Sequence, residues 1–210
     1  MKFASKYSNN TKKFLFLIFA IIVLIPSNSY TQTKTNLEVF YSLTDSLVNK
    51  IDSEIPVSDK MILLKLNLGR SYSLFENEIK NQFIKNGRDV IEIPPDEINI
   101  PSVDIVMEGA GVEYGNMFRS GFFGTHYIER YSTIFGNYLQ TFSVNGKQEF
   151  EIAFMDTVKV EDINTLENAS FPFTQGTVPP EPFISGLAEP LIAIGTAAIV
   201  IVLFFTIRSE

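Results

Sequence analysis

The chain has 210 residues, with no cysteine, no tryptophan, a single histidine, and 24 acidic against 17 basic side chains, a net charge of −7. These counts exclude disulfides, thiolate metal sites, a cysteine nucleophile, a lipid-modified cysteine and a multi-histidine metal centre within one chain. The negative balance gives nucleic acid and anionic lipid heads no long-range attraction to the domain.

That balance is uneven: residues 1–29 hold four lysines and no acid, whereas residues 30–189 hold 12 basic and 23 acidic side chains. Lys12 and Lys13 precede FLFLIFAIIVLI, an apolar stretch of about 12 residues, too short for the ~20 that span a bilayer. Pro26 breaks the run, and Ser27 and Ser29 stand at the small-residue positions of a cleavage site. Residues 1–29 therefore read as a secretory signal peptide cut after Ser29, with an uncleaved anchor as the alternative.

From Leu37, LEVFYSLTDSLVNKIDSEI spaces its apolar residues with a helical period and predicts a helix over 37–53, ended by Pro56. MILLKLNL (61–68) suits a buried strand. Ser73 and Glu76 have the spacing of a capping box ahead of Phe75, Ile79 and Phe83, with Gly87 as the stop. DVIEI (89–93) returns as a second strand, and the intervening helix has the length of a parallel crossover. Pro94, Pro95 and Pro101 mark a loop.

Beyond it the period falls to two, predicting strands over 103–115, 126–134, 136–144 and 147–158, the last two joined by an Asn145-Gly146 hairpin turn. The fold class expected is α+β: an α/β start followed by an antiparallel meander in one exported domain, residues 30–160. Residues 161–189 hold Pro172, Pro179, Pro180, Pro182, Gly176 and Gly186, and read as an extended tether.

The chain closes on EPLIAIGTAAIVIVLFFTIRSE. Pro190 suits a first helical turn, and the 17 uncharged residues from Leu191 to Ile207 rise about 26 Å as a helix. The run is apolar on every face, so residues 190–207 are expected to be a transmembrane helix. Arg208 in the tail 208–210 places the carboxy terminus on the cytoplasmic side and the domain on the periplasmic side. Gly195 and Ala198 offer small residues for a helix–helix contact. A removable carboxy-terminal signal is the other reading.

Few residues carry chemistry. His126, Glu129 and Arg130 in GTHYIER suit an acid/base cluster or, more simply, alternation along an exposed strand. Asp96, Glu97 and Asp104 lack calcium-loop spacing, and GAGVEYG lacks the G-x-G-x-x-G order, so Gly109 and Gly111 read as a bulge or close strand contact. No catalytic, cofactor-binding or metal-ligating residue is assigned, and no cofactor. MFRSGFFGTHY (117–127) is the exception to the polar turns: Phe118, Arg119, Phe122, Phe123 and Tyr127 have the composition of a partner-binding patch, or of rings folded under the sheet.

The order helix, MILLKLNL, SLFENEIKNQFIKNG, DVIEI, DIVMEGAGVEY and hairpin meander resembles the α/β domain shared by the curli-secretion lipoprotein, the penicillin-binding-protein activator lipoproteins and the amino-terminal domain of the Tol-system translocation protein. The likeness covers residues 37–158. It implies a non-enzymatic adaptor or channel component of the cell envelope, though this chain has no cysteine to lipidate. The expected function is thus a membrane-anchored envelope adaptor or assembly protein acting through protein contacts, not an enzyme. The alternatives are an enzyme subunit completed by a partner chain, and a small-molecule or glycan-sensing envelope domain.

Overall fold

The computed structural model describes residues 33–93, 100–121, 124–141, 146–180 and 183–207. The expected signal peptide, the cytoplasmic tail, Asp96, Glu97, Phe122, Phe123 and Asn145 lie outside the described residues. The fold is mixed α+β, with a five-stranded sheet and four α-helices among the described residues.

Helix α1 (Asn36–Glu54) opens on a complete capping box: Glu38 N–H donates to Thr35 Oγ1 (3.2 Å) and Thr35 N–H donates to Glu38 Oε2 (2.7 Å). Those bonds hold the Glu38 carboxyl below its usual pKa range. The far end has no cation of its own in its last turn. Arg88 supplies one from outside, pairing with Asp52 (2.6 Å) and donating to the carbonyls of Asp52, Ile55 and Pro56.

Strand β1 (Met61–Asn67), helix α2 (Glu76–Lys85) and strand β2 (Asp89–Ile91) form the expected sequence of strand, helix and parallel strand, with Met61 opposite Asp89. The capping box expected at Ser73 does not form. Ser73–Phe75 is a 3-10 turn leading into α2, and the Ser73 hydroxyl donates backward to the Arg70 carbonyl (3.1 Å). The chain thus enters α2 already helical, which leaves no extended cap position for a serine to occupy.

Strand β3 (Ser102–Arg119) runs parallel to β1 and antiparallel to β4 (His126–Gln140), which pairs antiparallel with β5 (Lys147–Lys159), in the order β2-β1-β3-β4-β5. β4 is one strand of 15 residues, where a break was expected near Phe135-Gly136. Gly136 lies inside the ladder because a Cβ there would stand 2.1 Å from the Val106 carbonyl oxygen. It marks a close approach of strands, not a turn.

Even-numbered residues of β4 and β5 face α1 and α2. Phe40, Leu47, Ile51, Ile62, Phe75, Ile79, Phe83, Ile105, Ile128, Ile134 and Tyr138 form the fully buried centre of that layer. The segment after β5, expected as the start of an extended tether, folds onto the same core. Helix α3 (Ile163–Leu166) and a 3-10 turn at Pro172–Thr174 bury Ile163, Leu166, Phe173 and Thr174. Phe173 sits among Phe40, Tyr72, Phe75 and Phe171, with ring centroids 5.1–5.9 Å apart. An aromatic cluster of this kind outweighs the chain-breaking tendency of the nearby prolines.

Helix α4 (Phe183–Ile207) has 25 residues and starts before Pro190, which is interior to it rather than in its first turn. Leu191, Ile194 and the run Ile199 to Phe205 are each more than half exposed, whereas Ile192 is partly covered. Among the described residues no helix is long and apolar enough to cross a membrane. Side chains of α4 are described only from Pro190 to Phe205, about 24 Å of rise against a hydrocarbon core of about 30 Å.

Candidate functional site

Alternation gives the sheet a second face, opposite the helices. On β4 it presents Tyr127, Tyr131, Phe135 and Leu139, four residues apart along the middle of the meander. Tyr131, Phe135 and Leu139 are 37%, 46% and 42% exposed. The rings lie flat because the neighbouring strand has no side chains beneath them. A Cβ on Gly109 would stand 2.2 Å from the Phe135 ring, and one on Gly115 would stand 2.7 Å from the Tyr131 ring. Both glycines flank register shifts in β3, between Met107 and Gly109 and between Tyr114 and Met117. The bulges therefore cradle the aromatic stripe.

Carboxylates rim this stripe. Across the three strands Glu108 is joined to Asn137 (Nδ2 donating, 2.6 Å), and Asn137 is opposite Glu149; Phe135 is opposite Glu151; Glu113 is opposite Tyr131. Glu129, next along β4, accepts from the Tyr131 hydroxyl (2.9 Å) and the Asn116 amide (3.1 Å). The first of these bonds raises the pKa of the Tyr131 phenol. Among the described residues none of Glu108, Glu113, Glu129, Glu149 and Glu151 pairs with a lysine or arginine. The cations of this face stand at its margins: Lys65 pairs with Asp104 (3.8 Å) and Lys159 with Glu161 (3.6 Å).

The aromatic hairpin tip forms one end of the same face. Phe118 is opposite Tyr127, and the two rings stack at 5.9 Å with 21° between their planes; Phe118 is 48% exposed. These two rings do not fold under the sheet. Arg119, opposite His126, turns toward the other side and donates from Nε to the Gly124 carbonyl (3.0 Å). Of the five residues expected as a partner patch, Phe118 and Tyr127 thus lie together, Arg119 faces away from them, and Phe122 and Phe123 are outside the described residues.

The His126, Glu129 and Arg130 trio is split across the sheet. Glu129 belongs to the open face, while Arg130 is fully buried, which corrects its reading as an exposed strand residue. Its guanidinium forms a bidentate pair with Asp156 (2.8 and 2.6 Å) and donates to the Lys34 carbonyl (2.9 Å) and to Asn36 Oδ1 (2.7 Å). Asn36 in turn donates to the Tyr114 hydroxyl (3.1 Å) and the Thr174 carbonyl (2.7 Å). Burial raises the Tyr114 phenol to about 12. The network ties α1, β3, β4, β5 and the Pro172–Thr174 turn together, and every donor in it is spent on structure. Among the described residues no group of acids and histidine is arranged to hold a metal ion.

No family model and no curated protein matches the chain. Two solved structures are similar at low level. Rare lipoprotein B from Shewanella oneidensis is 10% identical, with 68% of this chain and 98% of that chain covered and a TM-score of 0.34. A minor lipoprotein from Acinetobacter baumannii is 12% identical, with 65% and 90% covered and a TM-score of 0.33. Likeness at this level carries no weight for function.

Proposed function

We propose that this protein is a cell-envelope adaptor, held to a membrane by α4, that binds a protein partner on the open face of its sheet. The observation that carries the reading is the aromatic stripe Tyr127, Tyr131, Phe135 and Leu139, half-exposed, with five carboxylates around it that no cation neutralises. A face that served only to be wetted would alternate charge signs and avoid rings. This one combines rigid aromatic anchors with a rim of a single charge, as partner faces do.

The anchor rests on separate observations. The 17 uncharged residues from Leu191 to Ile207 rise about 26 Å, and the helical residues that precede them extend this apolar run toward a bilayer core of about 30 Å. Thr196, the hydroxyl within its described portion, donates back to the carbonyls of Ile192 (2.9 Å) and Ala193 (3.0 Å), so lipid would meet no unsatisfied donor. The domain is exported and the carboxy terminus cytoplasmic. The five carboxylates also repel anionic lipid heads, which leaves a protein as the better occupant of the open face.

Two measurements test the two halves. Crosslinking pull-down from membranes with Phe118, Tyr131 and Phe135 each changed to Ser is expected to lose a captured protein that the parent chain retains, with unfolding midpoints preserved. Retained capture contradicts the adaptor reading. Alkaline extraction and carboxy-terminal tag protection report on the anchor: release into the supernatant contradicts the span, and tag cleavage from the domain's side contradicts the orientation.

A further inference from the structure

The two sheet edges differ. β2 has three residues, whereas β5 has 13 and pairs with β4 without one register shift. Among the described residues no backbone hydrogen bond reaches the other side of β5. Natural edges of this length are guarded by proline, a bulge or charged side chains. β5 has no proline and no bulge, and its guards are the charges Lys147, Glu149, Glu151 and Lys159 on the open face, with the inward Asp156 held by Arg130.

Behind that edge a largely apolar groove separates β5 from α1, lined by Val39, Leu43, Ile152 and Phe154, with Ser46 and with Lys34, which donates to the Ser42 hydroxyl (2.9 Å). Phe154 belongs to the helix-facing row yet is 40% exposed, because the sheet ends there. The two serines do not make the groove polar. Their hydroxyls donate to the Glu38 and Ser42 carbonyls of their own helix (3.1 and 2.9 Å). What the groove lacks is one more strand whose inward side chains are apolar.

We infer that the missing strand is β5 of a second copy, paired antiparallel about a twofold axis at Phe154, so that two sheets join edge to edge. Charge chooses this register. It sets Glu149 opposite Lys159, a pair that occurs twice by symmetry, while Glu161 lies beyond the strand in a 3-10 turn. Moving the axis to Ala153 sets Lys147 against Lys159, like charges at both ends; moving it to Ile152 brings no opposite charges together. Moving it to Met155 sets Glu151 against Lys159 but puts Phe154, the ring exposed in the groove, against the Asp156 carboxylate. In the inward row Phe154 meets its own copy and Phe150 meets Val158. Asp156, opposite Ile152, stays on Arg130 of its own chain. The Lys159–Glu161 pair that must open is exposed and 3.6 Å long, so it exchanges for the intermolecular pairs at little cost.

The chain has no cysteine, so single cysteines report the register directly. The full chain in detergent is oxidised after Ile152→Cys, Ala153→Cys, Phe154→Cys or Met155→Cys, and its mass is read by light scattering. The expected result is a two-copy mass with disulfide formation fastest at position 154, at least about fivefold above 152. Lys159→Glu is expected to weaken the dimer at least about tenfold, and adding Glu149→Lys to restore it. A one-copy mass, fastest oxidation at 152, 153 or 155, or a dimer indifferent to both charge changes, as contact through α4 alone would give, overturns the inference.

Discussion

The two faces of the sheet use the same kinds of residue in opposite ways. On the helix-facing side Arg130, Asn36, Tyr114 and Tyr138 are buried and hydrogen-bonded, Arg130 to a half-buried Asp156, and the aromatic residues interlock with those of α1 and the Pro172–Thr174 turn. On the open side Glu108, Glu113, Glu129, Glu149 and Glu151 have no cation among the described residues, and the rings lie bare over glycines. A polar group with its partners in place holds a fold together; one without them is available to something else. Structure and binding are thereby assigned to opposite sides of one β4 strand, at alternate residues.

The contrast can be broken most severely at Arg130. Arg130→Met leaves Asp156 and the Asn36 carbonyl oxygen unpaired beside the core, and is expected to cost about 3–5 kcal/mol in chemical unfolding. Phe173→Ala removes the ring at the centre of the aromatic cluster and should cost about 3–4 kcal/mol, showing that the post-sheet segment is part of the domain. Tyr138→Phe is smaller. Its hydroxyl lies 2.8 Å from Glu54 and 2.9 Å from Gln148, and its loss should cost about 1 kcal/mol.

On the open face, Glu113→Gln and Glu151→Gln should stay within about 0.5 kcal/mol of the parent, since neither carboxylate has a partner to lose. Asp45 sharpens the comparison by pH. Burial, and then the nearby Glu78, raise its carboxyl pKa in the fold, and its Oδ1 is buried without a hydrogen bond. An acid whose folded pKa is raised disfavours the fold once deprotonated, so its penalty is present at neutral pH and vanishes as pH falls below the unfolded carboxylate value. Asp45→Asn is therefore expected to stabilise at pH 7 and to match the parent at pH 3.

Element order was legible in the sequence because α1, β1, α2 and β3–β5 each carry a clean period, and the expected antiparallel pairing of the last two strands forms, while the Asn145 turn between them lies outside the described residues. The network around Arg130 was not, since a charged residue in an alternating strand reads as solvated unless its parity is followed: Arg130 is in step with Ile128, Ile134 and Tyr138, not with Phe135 and Leu139. Thr35 and Glu38 show the capping spacing as plainly as Ser73 and Glu76 do, and only the backbone entering each helix decides which pair forms. The packing of Phe173 was hidden behind prolines that looked like a tether. The open face was half legible: Phe118 and Tyr127 stood out by composition, while Tyr131 and Phe135 passed as ordinary strand residues because the glycines beneath them lie on another strand.

The division between the two faces is tested most directly by a photo-crosslinking amino acid placed once at Thr133, in the middle of the open face, and once at Ser53, exposed on α1, in the full chain in its membrane. A defined protein adduct at Thr133 with none at Ser53 is the result predicted. Equal labelling at both positions, or an adduct at Ser53 alone, would contradict the account.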